Sequence, residues 1–105
     1  MINQISVEDY QKLRTDKKEI ILIDVREEWE HKIVNFEEAK LISLNTLSEN
    51  IQSLDKSKQY VIHCHHGVRS LQACLFLKNK GFNNVSNLKG GIDAMSEIDP
   101  KFKKY

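Results

Sequence analysis

Residues 60–70 read Tyr60-Val61-Ile62-His63-Cys64-His65-His66-Gly67-Val68-Arg69-Ser70, and the chain changes character within them. Tyr60-Val61-Ile62-His63 is a short apolar run rich in residues that favour strands, so it predicts a buried strand ending at Cys64. Gly67 permits a tight backbone turn. Helix signals resume at Arg69 and Ser70, with Leu71, Leu75, Phe76 and Leu77 punctuating the segment, and Gly81 closes it. Working outward, Glu19-Ile20-Ile21-Leu22-Ile23-Asp24 reads as a second strand covered on both faces. Lys40-Leu41-Ile42 and Asn84-Val85-Ser86-Asn87-Leu88 are two further strands. Helices are expected from a Ser6 cap to about Thr15, over Glu27 to Ile33, and through Leu44, Leu47, Ile51 and Leu54, spaced three and four apart. A last helix opens at Gly90-Gly91 and carries Ile92, Met95 and Ile98 on one stripe. Short apolar runs alternating with amphipathic segments define an α/β domain with a mainly parallel central sheet of about five strands, flanked by helices on both faces.

The 105 residues fit one domain, 1–105, with one modest core. Charges nearly cancel, at +1, which argues against a nucleic-acid partner. The basic end, Lys101-Phe102-Lys103-Lys104, is expected to be a solvated tail. No apolar run approaches the ~20 residues that span a bilayer, and residues 1–19, charged throughout and without an apolar core, are not expected to act as a secretory signal. Two cysteines, Cys64 and Cys74, are too few for a disulfide framework. A reducing, cytoplasmic setting fits them, and a monomer is the expectation.

Ligands of parallel α/β sheets sit beyond the carboxyl ends of the strands. Asp24, Cys64 and Gly90-Gly91 each follow a strand directly, so parallel strands would bring all three to one edge. There the turn after Cys64 can aim successive N–H groups at one point, and the helix behind it adds a positive dipole end. A thiolate at Cys64 would be stabilised, its pKa falling from about 8.5 toward or below neutrality, with His65, His66 and Arg69 adding positive charge. Such a thiolate attacks a sulfur donor, becomes a persulfide, and passes the sulfur to a nucleophile.

Cys64-His65-His66-Gly67-Val68-Arg69-Ser70 resembles the Cys-x-x-Gly-x-Arg-Ser loop of rhodanese domains. Leu22-Ile23-Asp24-Val25-Arg26-Glu27 is similar to the family's Asp-Val-Arg segment, and Leu88-Lys89-Gly90-Gly91-Ile92-Asp93-Ala94-Met95 to its Leu-x-Gly-Gly-x-x-Ala-Trp close. The three segments keep the family order and cover essentially the whole chain. The loop and the Gly-Gly-Ile-Asp-Ala ending look especially like rhodanese domains fused behind ubiquitin-activating-like adenylyltransferases. The resemblance implies a single-domain, thiosulfate-type sulfurtransferase. Cys64 would be its persulfide carrier, His65, His66, Gly67, Val68, Arg69 and Ser70 its anion-binding loop, and Asp24 and Arg26 a brace for that loop. It implies a small sulfur donor, a thiol or cyanide acceptor or a sulfur-carrier protein, and no cofactor. Two places depart from the pattern. Val34-Asn35-Phe36-Glu37-Glu38-Ala39 stands where the family has Gly-His-Ile-x-Gly-Ala, and Met95 stands for tryptophan.

Two competing functions follow from the same residues. Cysteine phosphatases and arsenate reductases resemble this loop but place five residues between cysteine and arginine, whereas four intervene here. Non-catalytic modules of the family usually lack the cysteine. A metal site at His63, Cys64, His65 and His66 is disfavoured, because structural ligands are normally separated by two to four residues. Cys74, among leucines, reads as a core residue. His63 belongs in or beside the core, His65 and His66 on the pocket rim, Trp29 in packing and His31 on the surface.

Overall fold

The computed structural model describes residues 2–16 and 18–105. Its centre is a five-stranded sheet of β1 (Asn3–Ile5), β2 (Ile21–Asp24), β3 (Lys40–Leu41), β4 (Tyr60–His63) and β5 (Val85–Leu88), in the order β1-β5-β4-β2-β3. Every neighbouring pair is parallel. The helices are α1 (Val7–Thr15), α2 (Glu28–Ile33), α3 (Leu47–Asn50), α4 (Val68–Asn79) and α5 (Gly91–Ile98). None is long and apolar enough to cross a membrane among the described residues.

Strand residues alternate between the two faces, as a pleated sheet requires. Ile23, Tyr60, Ile62 and Val85 pack with Leu47 of α3 and with Ala73, Cys74 and Leu77 of α4. Leu22, Val61 and Leu88 face Val7 and Tyr10 of α1 and Ile92 and Met95 of α5. Both faces are therefore covered, as the apolar runs predict. Ser6 caps α1, its side chain accepting from Asp9 N at 3.0 Å. Gly81, at φ +95°, ends α4, with the Phe82 N–H returning to Leu77 O at 3.0 Å.

Several sequence expectations change. The edge strand β1 is absent from the sequence reading, because Asn3 and Gln4 are exposed and polar. Helix α4 starts at Val68 rather than at Arg69 or Ser70, capped by Gly67 at φ +104°. The run from Leu44 to Leu54 is broken: 3-10 turns at Leu44–Thr46 and Ile51–Ser53 flank the single turn of α3. Short polar side chains explain the break, since Thr46, Asn50 and Ser53 donate back to Ser43 O, Thr46 O and Asn50 O and compete with the helical ladder. Trp29 is 62% exposed rather than packed, and Ile98 lies off the buried stripe of α5. The basic end is no solvated tail, because Phe102 is buried against Phe36 with ring centroids 4.7 Å apart.

Phe36 is the apolar anchor of the 34–39 stretch. It is fully buried, edge-on to Tyr10 at 5.6 Å and to His63 at 4.9 Å. Truncating such a ring removes its transfer energy and leaves a cavity. Phe36→Ala is expected to lower unfolding stability by about 3–5 kcal/mol in a urea titration.

Candidate active site

The sheet register brings the three sequence segments to one edge. Asp24 lies beside His63, and Ile62 lies beside Asn87, three residues before Gly90. From β4 the chain enters the Cys64 loop, and from β5 it turns through Gly90 into α5. The first N–H groups of α5 reach back to the loop, Ile92 N to Cys64 O and Asp93 N to His65 O, each at 3.0 Å. A helix start leaves these donors without partners of its own, so the contact satisfies both sides. It also dictates glycine at position 91. A Cβ there would lie 2.4 Å from His65 O and 2.6 Å from Cys64 O, and the backbone is left-handed at φ +63°.

With its carbonyls held outward, the loop turns N–H groups inward. Cys64 Sγ accepts from Gly67 N at 3.1 Å and Ser70 N at 3.4 Å, and the Ser70 hydroxyl oxygen lies 3.3 Å away. Cys64 is only 1% exposed. Burial works against ionisation, but the hydrogen bonds gathered on Sγ from Ser70, Gly67 and His66 outweigh it and bring the thiol below its ordinary value. Cys74 behaves oppositely: burial pushes it up to about 12, as fits a core thiol.

The charged residues expected to help the anion are engaged elsewhere. Arg69 grips Glu30 with both terminal nitrogens, at 2.6 and 2.9 Å. That grip outweighs burial, which opposes the charge, and brings the Glu30 carboxyl down to about 2. Burial, ahead of the neighbouring His66, pushes His65 below its usual value. His66 is exposed with Nε2 3.8 Å from Asp93 Oδ2, and the Val68 side chain points to solvent. The groups that touch Sγ directly are thus the loop backbone and Ser70, with the basic side chains farther out.

Asp24 and Arg26 are wholly buried and paired, Arg26 Nη2 donating to Asp24 Oδ2 at 2.8 Å. Burial opposes the Asp24 charge, but Arg26, His63 and His31 outweigh it and hold the carboxyl at about 2. Arg26 also donates to Glu30 O and Val34 O, fastening the last turn of α2 and its C-cap. Its brace therefore reaches the Cys64 loop one step removed, through Glu30 and Arg69. His31 is half-buried and joins this group, with Nδ1 3.0 Å from Asp24 Oδ2.

Four residues of the site escape the sequence reading. Glu30 is visible only as the acidic partner of Glu27 in a capping box. Asn87, buried in β5, links Ser70 to Gly67 O. His31 was expected on the surface. Tyr105 stacks on His65 with centroids 3.9 Å apart and planes 4° from parallel, while its hydroxyl donates to Glu30 and accepts from Arg26. His65, His66 and Asp93 bring potential metal-ligand atoms within 4.8 Å of one another. Lys104 competes there, its Nζ 3.2 Å from Asp93 Oδ1.

A parallel α/β sheet that ends a central strand on a buried thiol, ringed by backbone N–H groups at a helix start, defines a cysteine-loop domain. The chain belongs to the rhodanese-like family, and the model of the rhodanese-like domain matches residues 6–98. It is 31% identical over 94 residues to a sulfurtransferase of Allochromatium vinosum, covering 90% of this chain and 88% of that one. It is 30% identical over 110 residues to the adenylyltransferase and sulfurtransferase MOCS3-2 of Zea mays, covering 97% of this chain but 23% of that protein. A rhodanese-like domain protein of Staphylococcus aureus superposes with a TM-score of 0.87 at 27% identity, over 99% of both chains.

Two expectations follow. Gly91→Ala forces a side chain into the Cys64 and His65 carbonyls, and urea unfolding should show a loss of more than about 3 kcal/mol. His63 is fully buried, and burial, only partly offset by Asp24, lowers it from 6.5 to about 4. Unfolded, it takes up its proton near 6.5, so between those values the unfolded chain binds more protons. Its contribution to stability is complete above about 6.5 and fades as pH falls toward 4. Urea midpoints should therefore drop between pH 7 and pH 5, and less steeply in His63→Gln; equal slopes would count against this account.

Proposed function

We propose that this chain is a single-domain sulfurtransferase that carries a sulfane sulfur as a persulfide on Cys64. The observation that supports this most directly is the convergence of Gly67 N and Ser70 N on Cys64 Sγ at the start of α4. With thiosulfate, the thiolate attacks the outer sulfur, a Cys64 S–S bond forms and sulfite departs with the electron pair of the broken bond. The new terminal sulfur carries the negative charge. An acceptor, cyanide or a thiolate, then attacks that sulfur and the Cys64 thiolate leaves, restoring the starting state. No electron is gained or lost overall by the protein, so the cycle needs no cofactor. N–H groups preorganised around a developing anion lower the barrier in both halves. The Zea mays relative, which joins an adenylyltransferase to a sulfurtransferase, lends support to a sulfur-carrier protein as a further acceptor.

Incubation with thiosulfate and cyanide should yield thiocyanate, and Cys64→Ala should reduce the rate to the uncatalysed background. Mass spectrometry of the donor-treated protein should find one added sulfur atom on Cys64 and none on Cys74. Failure to form that adduct with either thiosulfate or a persulfide donor would overturn the reading in favour of a binding module.

A further inference from the structure

Asn87 makes contacts that fix where the proton on Ser70 lies. Its side chain is almost wholly buried in β5. Nδ2 donates to the backbone oxygen of Gly67 at 3.1 Å and to Gln4 Oε1 at 3.0 Å. A backbone carbonyl only accepts, so the contact with Gly67 fixes the orientation of the amide. Oδ1 must then face the other way, toward the Ser70 hydroxyl, with which it makes a short hydrogen bond. Amide oxygens also only accept, so the proton in that bond belongs to Ser70.

A serine hydroxyl has one proton. While Asn87 holds it, Ser70 presents only lone pairs to Cys64 Sγ, 3.3 Å away. That suits a neutral thiol, whose S–H can donate to Ser70 Oγ, giving a directed chain from Cys64 to Ser70 to Asn87. It does not suit a thiolate, which meets a lone pair. The hydroxyl can serve the thiolate only by rotating its proton from Asn87 Oδ1 to Sγ. That leaves a buried amide oxygen without a donor, which is unfavourable.

We propose that Asn87 is a positioning residue that holds the Ser70 proton away from Cys64 in the thiol state and releases it when the sulfur becomes anionic. Ser70 is the two-position element of this switch, and the N–H groups of Gly67 and Ser70 are its fixed part. Asn87 thereby opposes ionisation of the resting thiol, against the pull of the loop. The proposal deepens the sulfur-transfer reading and rests on it only for its purpose, because the switch itself concerns the protonation of Cys64.

The test is a pH titration of thiolate ultraviolet absorbance, taken as the difference from Cys64→Ser, in the wild type, Asn87→Ala, Ser70→Ala and the double variant. Cys74 stays outside the window, since it is pushed up to about 12. Asn87→Ala should lower the Cys64 pKa by about one unit, a tenfold gain in thiolate. A merely structural role would do the reverse, because a loosened loop loses N–H contacts and the pKa rises. Ser70→Ala alone should move the value by less than about a third of a unit, and added to Asn87→Ala it should cancel the drop. A rise or no change in Asn87→Ala overturns the proposal. So does a rise of about one unit in Ser70→Ala alone, since the hydroxyl would then already serve the thiolate freely. If Asn87→Ala does not fold, as read by circular dichroism, the Ser70→Ala result decides by itself. The added-sulfur mass on Cys64 is read separately: its absence beside the expected titration pattern would refute sulfur transfer and leave the Asn87 assignment standing.

Discussion

The loop after Cys64 must satisfy peptide groups in two opposite directions, and the start of α5 makes that possible. Backbone oxygens cannot be buried without donors, and the carbonyls of Cys64 and His65 point away from the sulfur. The N–H groups of Ile92 and Asp93 meet them at 3.0 Å. Only because these carbonyls are held there do the following N–H groups turn toward Sγ. The close approach leaves no space for a side chain at Gly91. The two segments are brought together by neighbouring parallel strands, β4 and β5, whose register places Ile62 beside Asn87. Sheet order, glycine and thiol environment are thus parts of one constraint.

Around that backbone cradle, charge is balanced in pairs. Asp24 lies with Arg26, and Glu30 with Arg69. Isolated buried charges would be costly, whereas paired and hydrogen-bonded ones are tolerated. The pairs form a chain, since Arg26 reaches Glu30 O and Val34 O, and Tyr105 joins Arg26 to Glu30. Their effect is mechanical: they tie α2, the stretch after it and the C-terminal residues to the rim of the site. Closest to Sγ lie peptide N–H groups, whose position does not depend on a flexible side chain.

The sequence made the architecture legible where burial is one-sided and strong. The runs at Ile21–Asp24 and Tyr60–His63 contain few alternatives to a covered strand, and Ser6 and Gly81 mark helix ends by their chemistry. Cys64, Gly67 and Gly90-Gly91 announced the site by spacing and resemblance. What stayed hidden depended on contacts between distant residues. Asn3–Ile5 forms a strand only because β5 offers an open edge. Phe102 and Tyr105 sit among lysines, so local composition suggests solvent, yet their rings find Phe36 and His65. Glu30 looks like one more acidic residue in a charged helix start, and only the fold shows that Arg69 is its partner. Trp29 fails in the opposite sense, being large and apolar in type but placed on the outer face of α2. One signal was available for Asn87: an amide inside a short apolar strand is expensive unless something nearby uses all of it.

The same geometry supports the proposed sulfur transfer over phosphoryl chemistry at this loop. A cysteine phosphatase must bind a tetrahedral oxyanion beyond its sulfur, and an arginine fork is the natural partner for two of the oxygens. Here both terminal nitrogens of Arg69 are committed to Glu30. Releasing them would strand a carboxylate that is almost fully buried. The loop N–H groups, moreover, lie 3.1 and 3.4 Å from Sγ itself. They are centred on the cysteine sulfur rather than on a point beyond it. A second sulfur extends the anion by one atom from a centre already served, whereas a phosphate would need a wider cradle and a free guanidinium. The four residues between Cys64 and Arg69 therefore do more than shorten a motif: they close the N–H ring on the thiol and leave the arginine to Glu30.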